Sequence, residues 1–484
     1  MNYGIIIKVL GNLLVFEALL MIPAYLISIF YQQNDSSAFL ISISVTFVVG
    51  FIMSKVKGAY KRIKAKDALA VVAIGWLLAS FFGSLPFVIS RSIPSFVDAF
   101  FETISGLTTT GSTVIKDVEI LPKGILFWRS LTHWIGGMGI LVFTLAILPT
   151  MGIGGFQIFK AESPGPTADK IVPRIKDTAR ILYTTYIAIT IIQVIFLVIG
   201  GMSLFESAVH TFGTVGTGGY STRNASIGAY NSTYIHIVIT VFMILSGVNF
   251  SLYYSLVNGK WKEVIRNEEL RLYLGIIFAA GILIGLNIYM NTDGYKNIGL
   301  AFRDSFFQVS SIITTTGYAS VDFDLWPVFS KMILLLLMFI GGCAGSTSGS
   351  VKVIRILVLA KLVKRQVAKI FHPNAYIPIK IDGKVVSDDV VNSISSFFIL
   401  FVIIFVIGIL VISFEGLDFE STVSAVATSI GNVGPGFGLV GPTRNFGGFS
   451  SFSKIFLSLL MLMGRLELFT IIALVSPKAW KNEA

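Results

Sequence analysis

The 484-residue chain has one cysteine, Cys343. One thiol rules out an internal disulfide and a cysteine-based metal cluster. Histidine is almost as rare: His133, His210, His236 and His372 are the only four. None falls in an HExxH or Cys/His ligand spacing, which leaves no support for a metal-dependent hydrolase. The chain has no GxxxxGK[ST] and no GxGxxG at a strand–helix junction, so those routes to ATP hydrolysis and NAD binding are closed. The scarcity with the widest consequence is charge. Asp, Glu, Lys and Arg make up 13% of the residues, about half the share of a soluble domain. That is too little polar surface to cover a globule of this size, so the soluble classes are excluded.

What fills the space is apolar. Hydrophobic residues are 54% of the chain and the mean hydropathy is +0.81. Windows near twenty residues with few charges recur from end to end, each long enough to cross a hydrocarbon core. The first, roughly 5–30, carries Lys8 and Glu17 and has no small-residue cleavage site behind it, so it reads as a retained helix. The formal charge of +11 does not point to nucleic acid. Most basic residues gather at 55–66, 150–180, 258–272, 352–384 and the tail at Lys478 and Lys481. Placing all five on one side gives the positive-inside asymmetry of a multi-pass membrane protein, with both termini cytoplasmic. The basic rim is suited to anionic lipid head groups.

Between the basic stretches the same order repeats: an apolar helix, a shorter apolar segment ending in Gly and Thr, and a second apolar helix. The first set is about 68–90, 94–107 and 124–148. The second is about 178–200, 203–214 and 234–257, and the third about 270–290, 298–313 and 327–363. The fourth is about 388–414, 417–430 and 453–475. A dozen residues at 1.5 Å each reach only about 18 Å of a ~30 Å core. The short segments therefore read as re-entrant half-helices, whose loops are tolerated only inside protein or along a wet cavity. The expected fold is all-α and membrane-integral: four pseudo-symmetric helix–pore loop–helix repeats around a central pore, after two extra transmembrane helices. The expected divisions are 1–66 (leading helices), 67–150, 151–262, 263–372 and 373–484.

FETISGLTTTG (101–111), AVHTFGTVGTG (208–218), FQVSSIITTTG (307–317) and SAVATSIGNVG (424–434) align on Gly111, Gly218, Gly317 and Gly434. The spacing, close to a hundred residues, is too long for a solenoid and suits a duplicated unit. Four half-helix C-termini favour a cation. Loop carbonyls can replace its hydration shell, and glycine permits positive φ and leaves room for the ion. The third return helix is interrupted by GGCAGSTSGS (341–350), which is small on every side. A non-helical loop beneath the filter fits this better than a packing face, which needs only one side small. Arg465 lies mid-helix in the last crossing, where a charge faces the bundle interior or water. Pairing with Glu467 is disfavoured, since i and i+2 do not share a helix face. Arg129 and His133, one turn apart, read as a structural pair behind the filter, and His210 as a satisfied buried imidazole. Asp322 and Asp324 are either solvated loop acids or a cation-concentrating mouth.

FWRSLTHWIGGMGI (127–140), GLTTTG (106–111), SIITTTGY (311–318), GNVGPGFG (431–438) and MGRLELFT (463–470) resemble the Trk/Ktr/HKT superfamily of potassium transporters, closest to its TrkH branch. The likeness runs the whole chain. It implies a K⁺ filter at Thr109, Thr110 and Gly111; Gly216, Thr217 and Gly218; Thr315, Thr316 and Gly317; and Asn432, Val433 and Gly434. Plant relatives with serine at the first filter glycine go with Na⁺ transport, so Gly111 implies K⁺. The resemblance also implies an intramembrane gate at Gly341, Gly342, Gly345, Ser346, Thr347, Ser348 and Gly349, with Arg465 as a barrier below the filter. It implies a homodimer and a cytoplasmic TrkA-type nucleotide-binding ring, with no nucleotide site and no enzymatic activity in this chain. Two other readings fit less well. A membrane-embedded enzyme needs clustered intramembrane His or carboxylates. A Na⁺-coupled carrier of inverted repeats needs opposite orientations, whereas all four units start from the same side.

Overall fold

The computed structural model describes residues 2–56, 65–139, 175–466 and 468–475. The basic positions within 57–64 and 150–174, the end of the first return helix beyond Gly139, Glu467, and Lys478 and Lys481 lie outside the described residues. Among those described, six helices are long and apolar enough to span a membrane, or seven if one bent pair counts as a span.

Two antiparallel helices lead: α1 (Tyr3–Phe30) and α2 (Ser36–Ser54). Their backbones cross closely at Gly11 and Gly50, where a methyl on Gly50 would stand 2.7 Å from Val15 N. Small residues permit such crossings. The α1–α2 turn also serves the first repeat, because Gln33 Oε1 and Asp35 Oδ2 accept the backbone N–H groups of Lys123 (2.5 Å) and Ile125 (3.2 Å). Those are orphan donors at the start of a helix.

The first repeat comprises α3 (Ala65–Gly83) and the short α4 (Leu85–Ile89), the half-helix α5 (Phe96–Leu107) and the return helix α6 (Lys123–Gly137). The second comprises α7 (Ile175–Ile199), half-helix α8 (Leu204–Val215), and a return made of α9 (Thr233–Ser246) and α10 (Phe250–Val257). A short connecting α11 (Trp261–Arg266) leads to the third: α12 (Glu268–Asn291), half-helix α13 (Ile298–Ile313), then α14 (Val328–Met338) and α15 (Val353–Phe371). A two-stranded hairpin, β1 (Lys380–Ile381) and β2 (Lys384–Val385), precedes the fourth. That repeat is α16 (Asp388–Ile412), half-helix α17 (Phe419–Gly431), α18 (Ser451–Leu466) and α19 (Leu468–Val475).

Each half-helix starts on a side-chain cap. Ser95, Ser203, Asn297 and Asp418 accept the N–H groups of Asp98, Glu206, Gly299 and Ser421. These caps satisfy orphan donors and stop the chain from continuing the preceding span. At Asp418 the Ser421 hydroxyl and N–H hold the carboxyl below its ordinary range. The half-helices are mostly buried, most completely toward their C-terminal ends, whereas the long helices turn apolar residues such as Phe47, Ile192, Phe278 and Leu410 outward.

Two expectations are corrected. The second return helix is not continuous over 234–257: α9 and α10 meet at 94° across Gly247, Val248 and Asn249. The Asn249 side chain caps α10 by accepting Ser251 N (2.9 Å). The freed backbone is satisfied by the interruption in repeat three, through Cys343 N to Gly247 O (2.8 Å) and Phe250 N to Gly345 O (3.0 Å). That interruption is also longer than 341–350, running from Phe339 to Lys352 and closed by a parallel bridge between Ile340 and Val351.

Candidate functional site

After each half-helix the backbone makes the same turn. Thr109, Thr217, Thr315 and Asn432 all have φ between 54° and 56°. Non-glycine residues rarely enter this left-handed region. Two residues further on, Gly111, Gly219, Gly317 and Gly434 have φ of 83°, 77°, 78° and 99°. The hydrogen bonds repeat as well. Thr110 N, Gly218 N, Thr316 N and Val433 N donate at 2.8–2.9 Å to Ser105 O, Gly213 O, Ser311 O and Thr428 O in their own half-helices.

These equivalences correct the register of the second loop. Its triad is Thr217, Gly218 and Gly219; Gly216 falls on the helix C-cap, with φ −71°. Four glycines in GTVGTGG leave the letters undecided, and the left-handed turn decides them. In the fourth loop the same turn falls on Asn432, Val433 and Gly434.

The carbonyl directions follow from peptide geometry. In a trans planar peptide, C=O and the next N–H point opposite ways. The N–H groups of Thr110 and Gly111 aim back at Ser105 O, so the carbonyls of Thr109 and Thr110 face away from their own half-helix. The same holds for Thr217 and Gly218, for Thr315 and Thr316, and for Asn432. The loops close into a ring. A methyl on Gly111 would collide with Gly218 O, one on Gly219 with Thr316 O, and one on Gly317 with Val433 O. On Gly434 it would lie 2.6 Å from Thr110 O. Each loop is thus packed against the next, in chain order, around one axis. A cavity of about 130 Å³ is lined by Gly111, Gly219, Gly317 and Gly434.

Each loop is braced by a polar residue that sequence reading left unused. Glu102 accepts Val114 N (2.9 Å) and Thr113 Oγ1 (3.0 Å). Its other partner is Arg129 Nε at 2.7 Å. At the equivalent position His210 meets Ser221 Oγ (2.9 Å), and the Gln308 amide accepts Ser320 N (2.8 Å). In the fourth repeat that position is Ala425, and Ser424 accepts Phe437 N instead (3.0 Å). Aligning the second loop on Gly219 brings Glu102, His210 and Gln308 into one column, which is the sequence signal that the shifted register hid. Arg129 and His133 do not pair with each other. Arg129 pairs with Glu102 and lies 3.4 Å over the Tyr220 ring, while the His133 ring packs 4.0 Å from the same tyrosine. His210 is satisfied at both ring nitrogens, as expected.

The expected mouth acids are tied into the loops. Asp324 accepts Gly438 N (3.1 Å), and Asp322 accepts Thr443 Oγ1 (3.3 Å). The cavity over the ring is lined instead by Lys116, Arg223 and Arg444.

Beneath the ring, the 339–352 segment is fastened from several sides. Gly349 N donates to Thr315 Oγ1 (2.7 Å), joining the segment to the third loop. Glu269 Oε1 accepts Ala344 N (2.7 Å) and Ile354 N (3.1 Å). Arg465 donates to Thr347 O (2.7 Å), Gly136 O (2.5 Å) and Gly137 O (2.6 Å). Lys352 and Arg355 follow this segment at the start of α15. Both are buried, Lys352 donating to Ser348 O and Arg355 lying 3.8 Å over the Phe397 ring. Lys352, Arg355 and Arg465 share a cavity of about 10 Å³ with Ser348, Gly349 and Gly464, at most the room of one water.

Four half-helices too short to span, each feeding a loop into one closed ring between spanning helices, define an α-helical membrane transport protein of the pore-loop class. The chain belongs to the TrkH family of cation transport proteins, matched over residues 32–284 and 294–482. It is 36% identical over 490 residues to the Trk system potassium uptake protein TrkH of Escherichia coli K12, and 37% identical over 495 residues to that of Vibrio parahaemolyticus. Both alignments cover the whole of each chain. The crystal structure of the potassium transporter TrkH from Vibrio parahaemolyticus superposes with a TM-score of 0.88 at 35% identity, covering 99% of this chain and 100% of that one. These are names of a transporter family and not of enzymes.

Proposed function

We propose that the chain takes up K⁺ across the bacterial cytoplasmic membrane through the ring of four loops. The filter oxygens are the carbonyls of Thr109, Thr110, Thr217, Gly218, Thr315, Thr316, Asn432 and Val433. Gly111, Gly219, Gly317 and Gly434 let the loops approach closely enough to replace a hydration shell. The observation that carries this reading is the closure of the ring, in which four glycines from four repeats each press on the next loop's carbonyl. The repeats act as the units 67–150, 151–262, 263–372 and 373–484, with 1–66 bracing the first.

The 341–350 loop is the gate, comprising Gly341, Gly342, Gly345, Ser346, Thr347, Ser348 and Gly349, with Arg465 as its latch and charge barrier. In this arrangement the gate is shut. A positive charge 4 Å from a passing ion raises its energy by about 4 kcal/mol at an effective dielectric of 20. The chain works as a homodimer with both termini cytoplasmic, and a TrkA-type nucleotide-binding ring on its basic face controls the gate.

The test is growth at low K⁺ of a bacterium stripped of its own K⁺ uptake systems, with this chain and a matched regulator expressed. Restored growth is expected. No growth despite membrane expression would remove the K⁺-uptake reading.

A further inference from the structure

The residue after each ring glycine reaches back to the preceding loop. Tyr220, next to Gly219, donates its hydroxyl to Glu102 O (2.9 Å) and Ser112 O (3.1 Å) of the first repeat. Tyr318, next to Gly317, does the same in the second repeat, to His210 O (2.9 Å) and Tyr220 O (3.1 Å). The two sets of acceptors are equivalent, one on the half-helix and one just past the glycine. Ser112, next to Gly111, donates to Gly434 O (3.2 Å) of the fourth loop. The fourth loop offers Pro435, which has no side-chain donor and whose Cδ would stand 2.8 Å from a methyl on Gly317. The side chain after the glycine therefore closes three of the four seams with a hydrogen bond, two of them through rigid aromatic rods.

The rods are set firmly. Both rings are buried, and Tyr220 is gripped by Arg129 and His133. Gly213 makes room for the Tyr318 hydroxyl, which any side chain at 213 would strike.

We infer that Tyr220 and Tyr318 are positioning residues for ion specificity. Their hydroxyls fix the separation of adjacent loops, and with it the bore of the carbonyl ring. This rests on the reading of the four loops as a K⁺ filter. Discrimination depends on how many carbonyls face the ion and how closely they are held. A loop freed at one seam adapts to the smaller Na⁺. An aromatic that merely filled space would work as well without its oxygen.

The test replaces Tyr220 and Tyr318 by phenylalanine, singly and together, in the full chain reconstituted in liposomes. The readout is the ratio of Na⁺ to K⁺ flux. Each single variant should raise it about two- to tenfold, the range for one net hydrogen bond, and the double variant further. Tyr234→Phe removes a hydroxyl bonded to Phe196 O on the outer surface and should leave the ratio unchanged. If a phenylalanine variant fails to accumulate, Ser112→Ala removes the bond from loop one to Gly434 O of loop four and should move the ratio in the same direction. Wild-type ratios in every variant that inserts and conducts K⁺ would overturn the inference. Loss of K⁺ selectivity in the wild-type chain itself would instead overturn the filter reading.

Discussion

Removing the guanidinium of Arg465 tests the gate directly. Its hydrogen bonds to Gly136 O and Gly137 O hold the side chain to the first return helix, and its bond to Thr347 O reaches the 341–350 loop. A hydrogen bond from a charged group contributes about 1.5–3 kcal/mol. Its loss in Arg465→Ala shifts the loop toward the open arrangement by roughly 10- to 150-fold. The charge adds a second effect of the same sign, since a cation passing at 4 Å is opposed by about 4 kcal/mol at an effective dielectric of 20. Rb⁺ or K⁺ flux into liposomes, per inserted protein and without the regulatory ring, should therefore rise at least tenfold. Arg465→Lys separates the two effects, because the charge stays while the forked contact to three carbonyls is lost. It should raise flux less than the alanine variant does. A fall in flux for Arg465→Ala, with unchanged thermal stability in detergent, would refute both the latch and the barrier.

Three further outcomes follow from the same geometry. Gly111→Ser places a side chain against Gly218 O and should raise Na⁺ relative to K⁺ uptake; an unchanged ion preference would mean the first loop is in the wrong register. Glu269→Ala frees the N–H groups of Ala344 and Ile354, each bond to a charged acceptor being worth about 1.5–3 kcal/mol. It should make flux constitutive, and flux still dependent on the regulator would show that Glu269 is no anchor. Glu102→Gln leaves Arg129 buried without its carboxylate, at about 3–5 kcal/mol, and should lower the thermal midpoint of the purified protein measurably. An unchanged midpoint would show that the pair does not hold the first loop.

Much of this protein was legible from its letters because hydropathy counts area. The spans and the four short half-helices come from how many apolar residues stand in a row, and the interruption near Gly341 from a run of small residues that breaks one. Thr109 and Thr315 each stand two before the glycine that closes a TTTG, and Asn432 stands two before Gly434, and these pairs share the positive φ of one turn. The second loop slipped by one because GTVGTGG offers four glycines, and only the left-handed φ at Thr217 and Gly219 chooses among them. The break at Gly247 was invisible, because one glycine between apolar helices carries no periodic signal. It exists because Cys343 and Gly345, far along the chain, hydrogen-bond to the backbone there. Glu102 with Arg129, Glu269 with the gate, and Tyr318 with His210 O are of the same kind. Each is a contact between residues well separated in sequence, set by the direction of one donor. Composition and periodicity determine which segments enter the membrane. Which carbonyl faces the axis, and which side chain keeps it there, depends on peptide orientation and on neighbours from other repeats, and so belongs to the tertiary structure alone.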